Sequence, residues 1–421
     1  MSLPLIILGA GSSGWAAARL GAEEGRQGII VSASQPDARA LEALKALGFH
    51  WQADLPDKSE GEVVISPGIP FEHPWLQTLR KRKQNFLPEF EWAAQRLRGS
   101  QIAVTGSLGK TSMVLLIADL LRDAGYSVTV SGNISPPVSE MALQSPQADF
   151  HVIELSSFQL EASQSYRPDR ALCLNLFPNH LDRHPNIQNY AAAKSRLAAF
   201  QRPDDLAVWP QEYPVEVPTR ARRVVAENFE LPKLGNTVFA ASALRKNLQG
   251  VMALLEGIPG VNAETQESVI RGFQFPAHRM QRLEIVGAGR VVDDSKSTCL
   301  EATKAALACI SGEVQLVMGG LDKAESLDRL SEIFQQRSPQ LYLFGHAAKK
   351  MKEAWKDSVD ECQVFDTLDA LLPVLWKART EAQTLLFSPG CASFDQFPGY
   401  AVRGQTFQKL VRRLAAQSPL S

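Results

Sequence analysis

A glycine-rich segment that carries a lysine and a threonine is the strongest sign of chemistry in this sequence. It follows the apolar run Ile102 to Val104 and precedes a helical pattern. The amides of such a loop and the positive end of the next helix bind phosphate, the lysine reaches the terminal phosphates, and the threonine hydroxyl binds Mg²⁺. The segment therefore predicts an ATP site, and its residues are Gly106, Ser107, Gly109, Lys110, Thr111 and Ser112. A surface lysine in an ordinary turn is the alternative, because Val104 replaces the first glycine of the general pattern.

A second glycine-rich turn lies near the N-terminus, between the apolar run Leu5 to Leu8 and another helical pattern. Its sequence, Gly9-Ala10-Gly11-Ser12-Ser13-Gly14, is typical of dinucleotide or diphosphate binding. The segment Val31 to Gln35 contains no acidic residue to bind a ribose, which disfavours a nicotinamide oxidoreductase. A tight turn without a ligand stays open as the alternative. Another strand pattern ends at the turn Ser66-Pro67-Gly68.

Three further positions have polar side chains that could take part in chemistry. Glu154 follows a buried strand pattern, and a carboxylate there is a suitable Mg²⁺ ligand beside Thr111. The segment from Asn179 to His184 predicts either a polar site or a helix cap with surface histidines. Lys194 lies in an alanine-rich helix, where a lysine is ordinarily solvated.

The elements that must position these residues alternate between strand and helix along the whole chain. This alternation predicts an α/β protein with parallel sheets covered by helices. Strands are expected at 171–176, 314–318, 340–344 and 384–387. A length of 421 residues suggests about three domains, and we place them at 1–95, 96–277 and 278–421.

Composition excludes several classes of protein. The net charge of −1 argues against a dedicated nucleic-acid or membrane-surface binder. The five cysteines lack C-x-x-C spacing, which fits a reducing cytoplasm. The sequence shows neither the pattern of a signal peptide nor the run of about 18 apolar residues that spans a membrane. We expect a cytoplasmic protein.

The order of these motifs along the whole chain resembles the Mur ligase family. The matching segments are 105–111, Gly132-Asn133-Ile134, Glu154 to Leu160, Leu174-Asn175, His180 to Arg183, Ala193-Lys194, His278-Arg279, Asp293 to Thr298, Gly319-Gly320 and Ser388 to Phe397. The resemblance implies a Rossmann-like N-terminal domain for a UDP moiety, a central P-loop ATPase domain and a dinucleotide-binding-like C-terminal domain.

Three segments are similar to the members of that family that add D-glutamate to UDP-N-acetylmuramoyl-L-alanine in cytoplasmic peptidoglycan precursor synthesis. They are the N-terminal glycine-rich turn, Ser66-Pro67-Gly68 and Cys391 to Phe397. The implied reaction phosphorylates the substrate carboxylate with ATP, and the amine of D-glutamate then displaces phosphate from the acyl phosphate. We expect a monomer that acts on small molecules.

The resemblance also implies roles for individual residues. Lys110, His180, Lys194 and Lys296 would be catalytic, and Asn247, Arg279 and Asp294 would join the P-loop in binding ATP. Two Mg²⁺ ions would be held by Thr111, Glu154, His180 and Lys194, the lysine as its carbamate. The UDP substrate would contact Gly9, Gly11, Ser12, Ser13, Gly14, Ser66, Pro67, Gly68, Asn133 and His180. D-Glutamate would contact Thr298, Lys323, Ser393 and Tyr400.

Two alternatives to a D-glutamate-adding ligase remain at this point. One is a related ligase with another acceptor, from a different Mur step or folylpolyglutamate synthesis. The other is a catalytically silent nucleotide-binding homologue, suggested by Leu108 and Cys299, which depart from the family pattern. Retention of five residues argues against the silent homologue, and these are Lys110, Thr111, Glu154, His180 and Lys194.

Overall fold

The computed structural model describes residues 3–57, 60–179, 183–232, 239, 242–322 and 326–418. These residues contain three sheets. The chain divides into two compact units: Met1–Gly235 with Lys246–Gly272, and Asn236–Arg245 with Phe273–Ser421. The first unit contains two of the sheets and the second unit contains the third. The predicted α/β class with mainly parallel sheets is confirmed, while the exact domain boundaries stay a prediction.

The first sheet is entirely parallel and has the strand order β3-β2-β1-β4-β5. Its strands are β1 (Leu5–Leu8), β2 (Gly28–Val31), β3 (Phe49–Gln52), β4 (Glu62–Ile65) and β5 (Phe86–Pro88). Its helices are α1 (Ser12–Glu23), α2 (Ala38–Ala46), α3 (Pro74–Lys81) and α4 (Glu89–Ala94). Strand β1 is buried on both faces because all four of its residues are apolar, as expected of a central parallel strand.

The second sheet is also parallel, with the order β11-β10-β9-β6-β8-β7. Its strands are β6 (Arg98–Thr105), β7 (Val128–Gly132), β8 (Gln147–Glu154), β9 (Arg170–Cys173), β10 (Leu206–Trp209) and β11 (Arg222–Val225). The helices that follow these strands are α5 (Lys110–Asp123), α6 (Val138–Gln144), α7 (Ser157–Leu160), α8 (Ile187–Ser195), α9 (Ser242–Leu255) and α10 (Ala263–Gly272). Strand β9 ends three residues earlier than predicted, because the chain after Cys173 turns to meet the loop that follows β6.

The third sheet has the order β12-β13-β17-β14-β15-β16, in which only the pair β12 and β13 is antiparallel among the described residues. Its strands are β12 (Gln281–Arg282), β13 (Arg290–Asp293), β14 (Val314–Gly319), β15 (Gln340–Phe344), β16 (Cys362–Phe365) and β17 (Thr384–Gly390). Its helices are α11 (Leu300–Ala308), α12 (Ser331–Arg337), α13 (Ala348–Trp355), α14 (Leu368–Ala378) and α15 (Tyr400–Gln417). The last strand, β17, lies between β13 and β14, so the carboxyl ends of these three strands are neighbours.

Helix α4 connects the two sheets of the first unit through two buried carboxylates. Glu89 accepts a hydrogen bond from the backbone amide of Ser139 at 2.7 Å, near the start of α6. Glu91 accepts from the amides of Gln164 and Ser165 at 2.9 and 2.6 Å, and from the Ser165 hydroxyl at 2.6 Å. Burial raises the pKa of Glu89 to about 7. At this contact between the sheets, Glu91 accepts three hydrogen bonds, whereas Glu89 accepts one from a backbone amide.

Among the described residues, no helix has the length and apolar character needed to cross a membrane.

Candidate active site

The predicted phosphate-binding loop connects the end of β6 to the start of α5, and two of its glycines are required by the fold. Gly106 has φ +143° and Gly109 has φ +83°, backbone conformations that other residues rarely adopt. A Cβ atom on Gly106 would lie 3.1 Å from Cβ of Leu174, and one on Gly109 would lie 2.6 Å from Nδ2 of Asn247. Neighbouring segments therefore pack directly against the loop backbone.

Asn175 fixes the conformation of this loop from outside the motif. Its Oδ1 accepts a hydrogen bond from the Leu108 amide at 2.9 Å, and its Nδ2 donates to the Leu108 carbonyl at 2.9 Å. The same Nδ2 donates to Oδ1 of Asn247 at 2.8 Å. The predicted ATP-binding residue Asn247 is thereby placed beside the loop. The sequence motif Leu174-Asn175 gave no indication of this role.

Ser107 forms hydrogen bonds to the chain that follows β9. Its amide donates to the Asn175 carbonyl at 3.0 Å. Its hydroxyl accepts from the Phe177 amide at 2.9 Å and donates to the Phe177 carbonyl at 3.1 Å. These bonds anchor the loop, and a contact between Ser107 and ATP stays a prediction.

Lys110 follows the phosphate-binding loop, and its side chain folds back onto the loop backbone. Its ammonium donates to the carbonyls of Gly106 and Ser107 at 2.7 and 3.1 Å. Helix α5 begins at Lys110, and its N-cap residue, Gly109, has no side chain that could cap the helix. Positive charge and the first-turn amides of α5 thus meet at one point, which suits a phosphate group.

A hydroxyl and a carboxylate meet beside the loop, as predicted for a magnesium site. The Thr111 hydroxyl donates to Oε2 of Glu154 at 2.7 Å, and Nδ2 of Asn133 donates to Oε1 at 2.8 Å. The sheet register explains this placement, since Glu154 pairs with Val104 on β6 and with Gly132 on β7. The described residues contain no group of three or more His, Cys, Asp or Glu side chains around one point. One carboxylate and one hydroxyl still fit Mg²⁺, which takes oxygen ligands and usually keeps several waters.

Lys194 is a buried amine, so its interpretation as a solvated lysine is wrong. The residue is 1% exposed. Its Nζ donates to the Gly106 carbonyl at 2.9 Å, lies 3.4 Å from Oγ1 of Thr105, and lies 4.5 Å from the ring centre of Tyr190. Burial lowers the pKa of Lys194 well below its usual value, and the positive charge of Lys110 lowers it further. A lysine far away in sequence therefore reaches the phosphate-binding loop as an amine that loses its proton readily.

The cap of α8 lies after the polar segment in which a cap was predicted, and one histidine of that segment contradicts its interpretation. Asn186 caps α8, because its side chain accepts from the Asn189 amide at 2.8 Å. His184 is buried, with Nε2 at 3.0 Å from the Ser157 hydroxyl, so its interpretation as a surface histidine is wrong. His180 lies outside the described residues, as does Lys323, and their predicted roles stay predictions.

The two predicted UDP-binding turns are adjacent at the carboxyl ends of β1 and β4. The Ser66 hydroxyl donates to the Gly9 carbonyl at 3.4 Å. Gly9 has φ +103°, and a Cβ atom on Gly14 would lie 1.9 Å from the Gly9 carbonyl oxygen. The close approach of α1 to β1 therefore requires glycine at 14, which agrees with the fingerprint predicted for Gly9 to Gly14. Gly11, Ser12 and Ser13 lie at the start of α1, and Pro67 and Gly68 follow Ser66.

In the second unit, two predicted site residues are in contact. Nζ of Lys296 lies 4.0 Å from the ring centre of Tyr400, a cation–π contact. The Ser295 hydroxyl donates to the Tyr400 carbonyl at 2.9 Å and holds the start of α15 against the loop after β13. Ser393 is buried in the loop after β17, and Thr298 is half-buried before α11.

Asp294 and Arg279 lie where the turn at 277–280 meets the end of β13. Asp294 is buried, and its carboxylate accepts from the Met280 amide at 3.1 Å and from the hydroxyls of Ser388, at 2.8 Å, and Ser297. Burial raises the pKa of Asp294 to about 6. Arg279 precedes Met280 in the same turn and is half-buried. The structure thus gives Asp294 a role in joining chain segments, and its contact with ribose stays a prediction.

The fold and this site define a nucleotide-binding α/β protein with a phosphate loop and an adjoining hydroxyl–carboxylate pair. The family model described as Mur ligase middle domain matches residues 104–267, which include the loop, Glu154 and Lys194. The MurF ligase from Thermotoga maritima, solved in complex with ADP, has a similar fold with a TM-score of 0.64. It is 15% identical, and the match covers 96% of this chain and 99% of that one.

Two curated relatives are similar over almost their full length. The UDP-N-acetylmuramoylalanine--D-glutamate ligase of Koribacter versatilis is 33% identical, with 98% of each chain covered. The enzyme of the same name from Solibacter usitatus is 34% identical, with 97% of each chain covered. The chain belongs to the family of UDP-N-acetylmuramoylalanine--D-glutamate ligases, within the Mur ligases.

Proposed function

We propose that this protein joins D-glutamate to UDP-N-acetylmuramoyl-L-alanine with hydrolysis of ATP to ADP and phosphate. Family membership supports the reaction, and one observation in the structure carries it. The buried amine of Lys194 contacts the phosphate-binding loop and the Thr111–Glu154 pair lies beside it, where an amide ligase must bring a nucleotide and a carboxylate together.

The chemistry needs activation because a free carboxylate has no leaving group. One carboxylate oxygen of the first substrate attacks the γ-phosphorus, and ADP leaves with the electrons of the broken bond. The amine of D-glutamate then attacks the carbonyl carbon, loses a proton, and expels phosphate from the tetrahedral intermediate. Positioning and neutralisation of charge supply most of the catalysis of phosphoryl transfer.

The residues around the loop are suited to these tasks. The ammonium of Lys110 and the amides at the start of α5 would bind the phosphates of ATP. Thr111 and Glu154 would hold one Mg²⁺, and when bound the metal supplies positive charge beside the phosphate oxygens. Asn133, which donates to Glu154, would orient that carboxylate and meet the muramoyl substrate.

Lys194 would act after reaction with carbon dioxide. Its neutral amine attacks the carbon of CO₂, one C=O bond becomes a C–O⁻ group, and the nitrogen loses a proton. The product is a carbamate, whose oxygens suit Mg²⁺ where an ammonium would repel it. The depressed pKa of Lys194 favours the neutral amine that this step requires. With His180, the carbamate would hold the second Mg²⁺.

The first test is ADP release from Mg-ATP with UDP-N-acetylmuramoyl-L-alanine, with and without D-glutamate. We expect release that depends on D-glutamate and is not supported by L-glutamate, the matched control. Release with another amino acid alone would indicate a related ligase with a different acceptor. Binding of ATP without release in the presence of any acceptor would indicate the silent homologue. The same preparation would test by light scattering whether the protein is a monomer, which stays a prediction.

A further inference from the structure

A buried arginine lies at the base of the second unit's predicted site. Arg403 belongs to α15, one helical turn after Tyr400, and it is 0% exposed. Its Nε donates to the Ser295 hydroxyl at 3.1 Å and its Nη2 donates to the Ser295 carbonyl at 2.7 Å. Its Nη1 donates to the Cys391 carbonyl at 2.9 Å and lies 3.5 Å from the Gly319 carbonyl.

These acceptors come from the ends of three neighbouring strands. Ser295 follows β13, Gly319 ends β14, and Cys391 follows β17, and the sheet places β17 between the other two. The loops that begin there contain Lys296 and Ser393, and the loop after β14 leads in sequence to Lys323. The guanidinium of Arg403 therefore bonds to the strand ends that lead in sequence to Thr298, Lys323 and Ser393, three of the acceptor-binding residues that the resemblance implies. The fourth, Tyr400, lies on α15 with Arg403.

The surrounding chain is fitted to this side chain. Gly320 has φ +131°, and a Cβ atom there would lie 3.1 Å from Nη1 of Arg403 and 2.3 Å from the Ala392 carbonyl oxygen. The Leu321 amide donates to that same Ala392 carbonyl at 2.8 Å. The loops after β14 and β17 are thus joined directly to each other as well as through Arg403.

The hydrogen-bond acceptors of Arg403 are uncharged oxygens. Burial lowers the pKa of Arg403 to about 10, so the guanidinium stays positively charged at neutral pH. A planar fork of donors can satisfy several carbonyls at fixed angles, which a lysine cannot do. The charge also lies beneath loops that would receive an anionic dicarboxylate.

We propose that Arg403 is a positioning residue for the dicarboxylate acceptor, acting by holding the loops after β13, β14 and β17 in one arrangement. The inference rests on the proposed function and deepens it, because it names what places the acceptor-binding side chains. Arg403 touches no reacting atom in this proposal. Its loss would loosen the loops, and a small misplacement of several contacts weakens acceptor binding.

The same domain offers a matched control. Arg379 is also buried, and its guanidinium donates to the carbonyls of Ala288, Arg290 and Gln383. Burial lowers its pKa to about 10 as well. Arg290 starts β13 and Gln383 precedes β17, so Arg379 lies at the opposite end of the sheet. Both guanidiniums are buried and donate to backbone carbonyls, and they differ in which ends of the strands they hold.

The test compares Arg403→Met, Arg403→Lys and Arg379→Met in the full-length protein. For Arg403→Met we expect the KM for D-glutamate to rise by about tenfold or more, with a smaller rise in the KM for ATP, because Asp294 lies in one of the same loops. Arg403→Lys keeps the charge without the forked guanidinium, and its KM for D-glutamate should lie between those of wild type and Arg403→Met.

Arg379→Met, the control, should unfold at a lower temperature and keep the wild-type KM for D-glutamate. If Arg403→Met does not fold, Ser295→Ala, which loses the hydroxyl that bonds both Arg403 and Tyr400, is expected to raise the same KM by a smaller factor.

Each outcome bears on one claim. An equal rise in the KM for D-glutamate in Arg379→Met would overturn the positioning role, as would equal losses for ATP and D-glutamate in Arg403→Met. Formation of the acyl phosphate, trapped by hydroxylamine without D-glutamate, should fall by a smaller factor in Arg403→Met than turnover with D-glutamate does. If wild type itself shows no turnover that depends on D-glutamate, the proposed function fails. If a folded Arg403 or Ser295 variant turns over as fast as wild type with an unchanged KM for D-glutamate, the positioning role alone is overturned.

Discussion

The phosphate-binding loop of the first unit and the strand-end loops of the second unit each lie against a buried basic side chain, but the two side chains differ in how they are hydrogen-bonded. In the first unit the neutral amide of Asn175 holds the loop, while Lys194 donates to the Gly106 carbonyl at 2.9 Å and to the Thr105 hydroxyl at 3.4 Å. In the second unit the cation itself, Arg403, holds the loops. The task of fixing the backbone therefore falls to a neutral group in one region and to a charged group in the other.

This difference determines what each cation can do. A buried ammonium with few acceptors is costly to keep charged, so it becomes a neutral amine that can react. A guanidinium whose donors meet several carbonyls stays charged and fixed in place. Lys194 is thus suited to chemistry and Arg403 to architecture, although both are buried within an α/β unit.

Removal of the Lys194 amine should have the largest effect. In Lys194→Ala we expect turnover to fall by about a thousandfold or more, roughly 4 kcal/mol in the activation free energy. Small carboxylic acids should restore part of it by supplying the missing oxygen ligand. Lys246→Ala, which removes an exposed lysine, is the control and should retain full activity. Wild-type ADP release from Lys194→Ala would contradict the reactive role of Lys194.

Arg403 and Lys194 should differ in their contribution to stability. Arg403→Met leaves buried carbonyls without donors and should lower the free energy of unfolding by roughly 3 to 4 kcal/mol. Lys194→Met loses two hydrogen bonds, one of them long, but it also removes the cost of burying an amine, so it should change the free energy of unfolding by about 1 kcal/mol or less. Urea denaturation followed by circular dichroism measures both. Equal losses would show that the bonding of the two cations does not differ as described.

Glu89 extends the comparison to a buried anion with few donors. Its pKa of about 7 lies above the ordinary value of 4.5, so the folded protein binds this proton more tightly than the unfolded chain does. That proton therefore supports folding at low pH, and the support is lost as the pH rises from about 4.5 through 7. Glu89→Gln removes the titration, so at pH 8 it should be more stable than wild type by about 3 kcal/mol, with little difference at pH 4.5.

Glu91→Gln is the control for that experiment, because Glu91 lies on the same helix and accepts three hydrogen bonds. An amide NH₂ group facing those donors should lower stability at both pH values. Thermal unfolding of the two variants at pH 4.5 and pH 8 gives the comparison. A gain in stability for Glu89→Gln that is the same at both pH values would contradict the titration of Glu89.

The sequence predicted the parts of the fold and site that depend on local patterns. The Gly-rich turns, the central strands and the placement of Glu154 beside Thr111 were expected, because strand ends in a parallel sheet share one edge. Family motifs singled out Lys194, whereas its alanine-rich helix alone favoured a solvated lysine.

The contacts that depend on tertiary packing could not be predicted. The spacing of α15 places Arg403 on the same face as Phe407 and Leu410, but it does not tell which strand ends the guanidinium bonds to. Burial of His184 depends on its packing against Tyr190 and on Ser157, and the latter is distant in sequence. The role of Asn175 was hidden because it follows strand β9, whereas the loop that it fixes follows β6.

The smallest expected effect comes from releasing the phosphate-binding loop. Asn175→Ala removes three hydrogen bonds, two to Leu108 and one to Asn247, and should raise the KM for ATP by about tenfold, which corresponds to about 1.4 kcal/mol. Asn175→Asp keeps the oxygen that accepts from the Leu108 amide but loses the NH₂ group that donates to the Leu108 carbonyl and to Asn247. It therefore separates the contribution of the bond to the Leu108 amide from that of the two donated bonds. Asn262→Ala is the control, since this asparagine accepts from two amides at the start of α10. Because the Asn175 side chain is uncharged, the rise in the KM for ATP should be the same at low and high salt. A strong salt dependence would show that Asn175 acts through Lys110 rather than through the backbone of the loop.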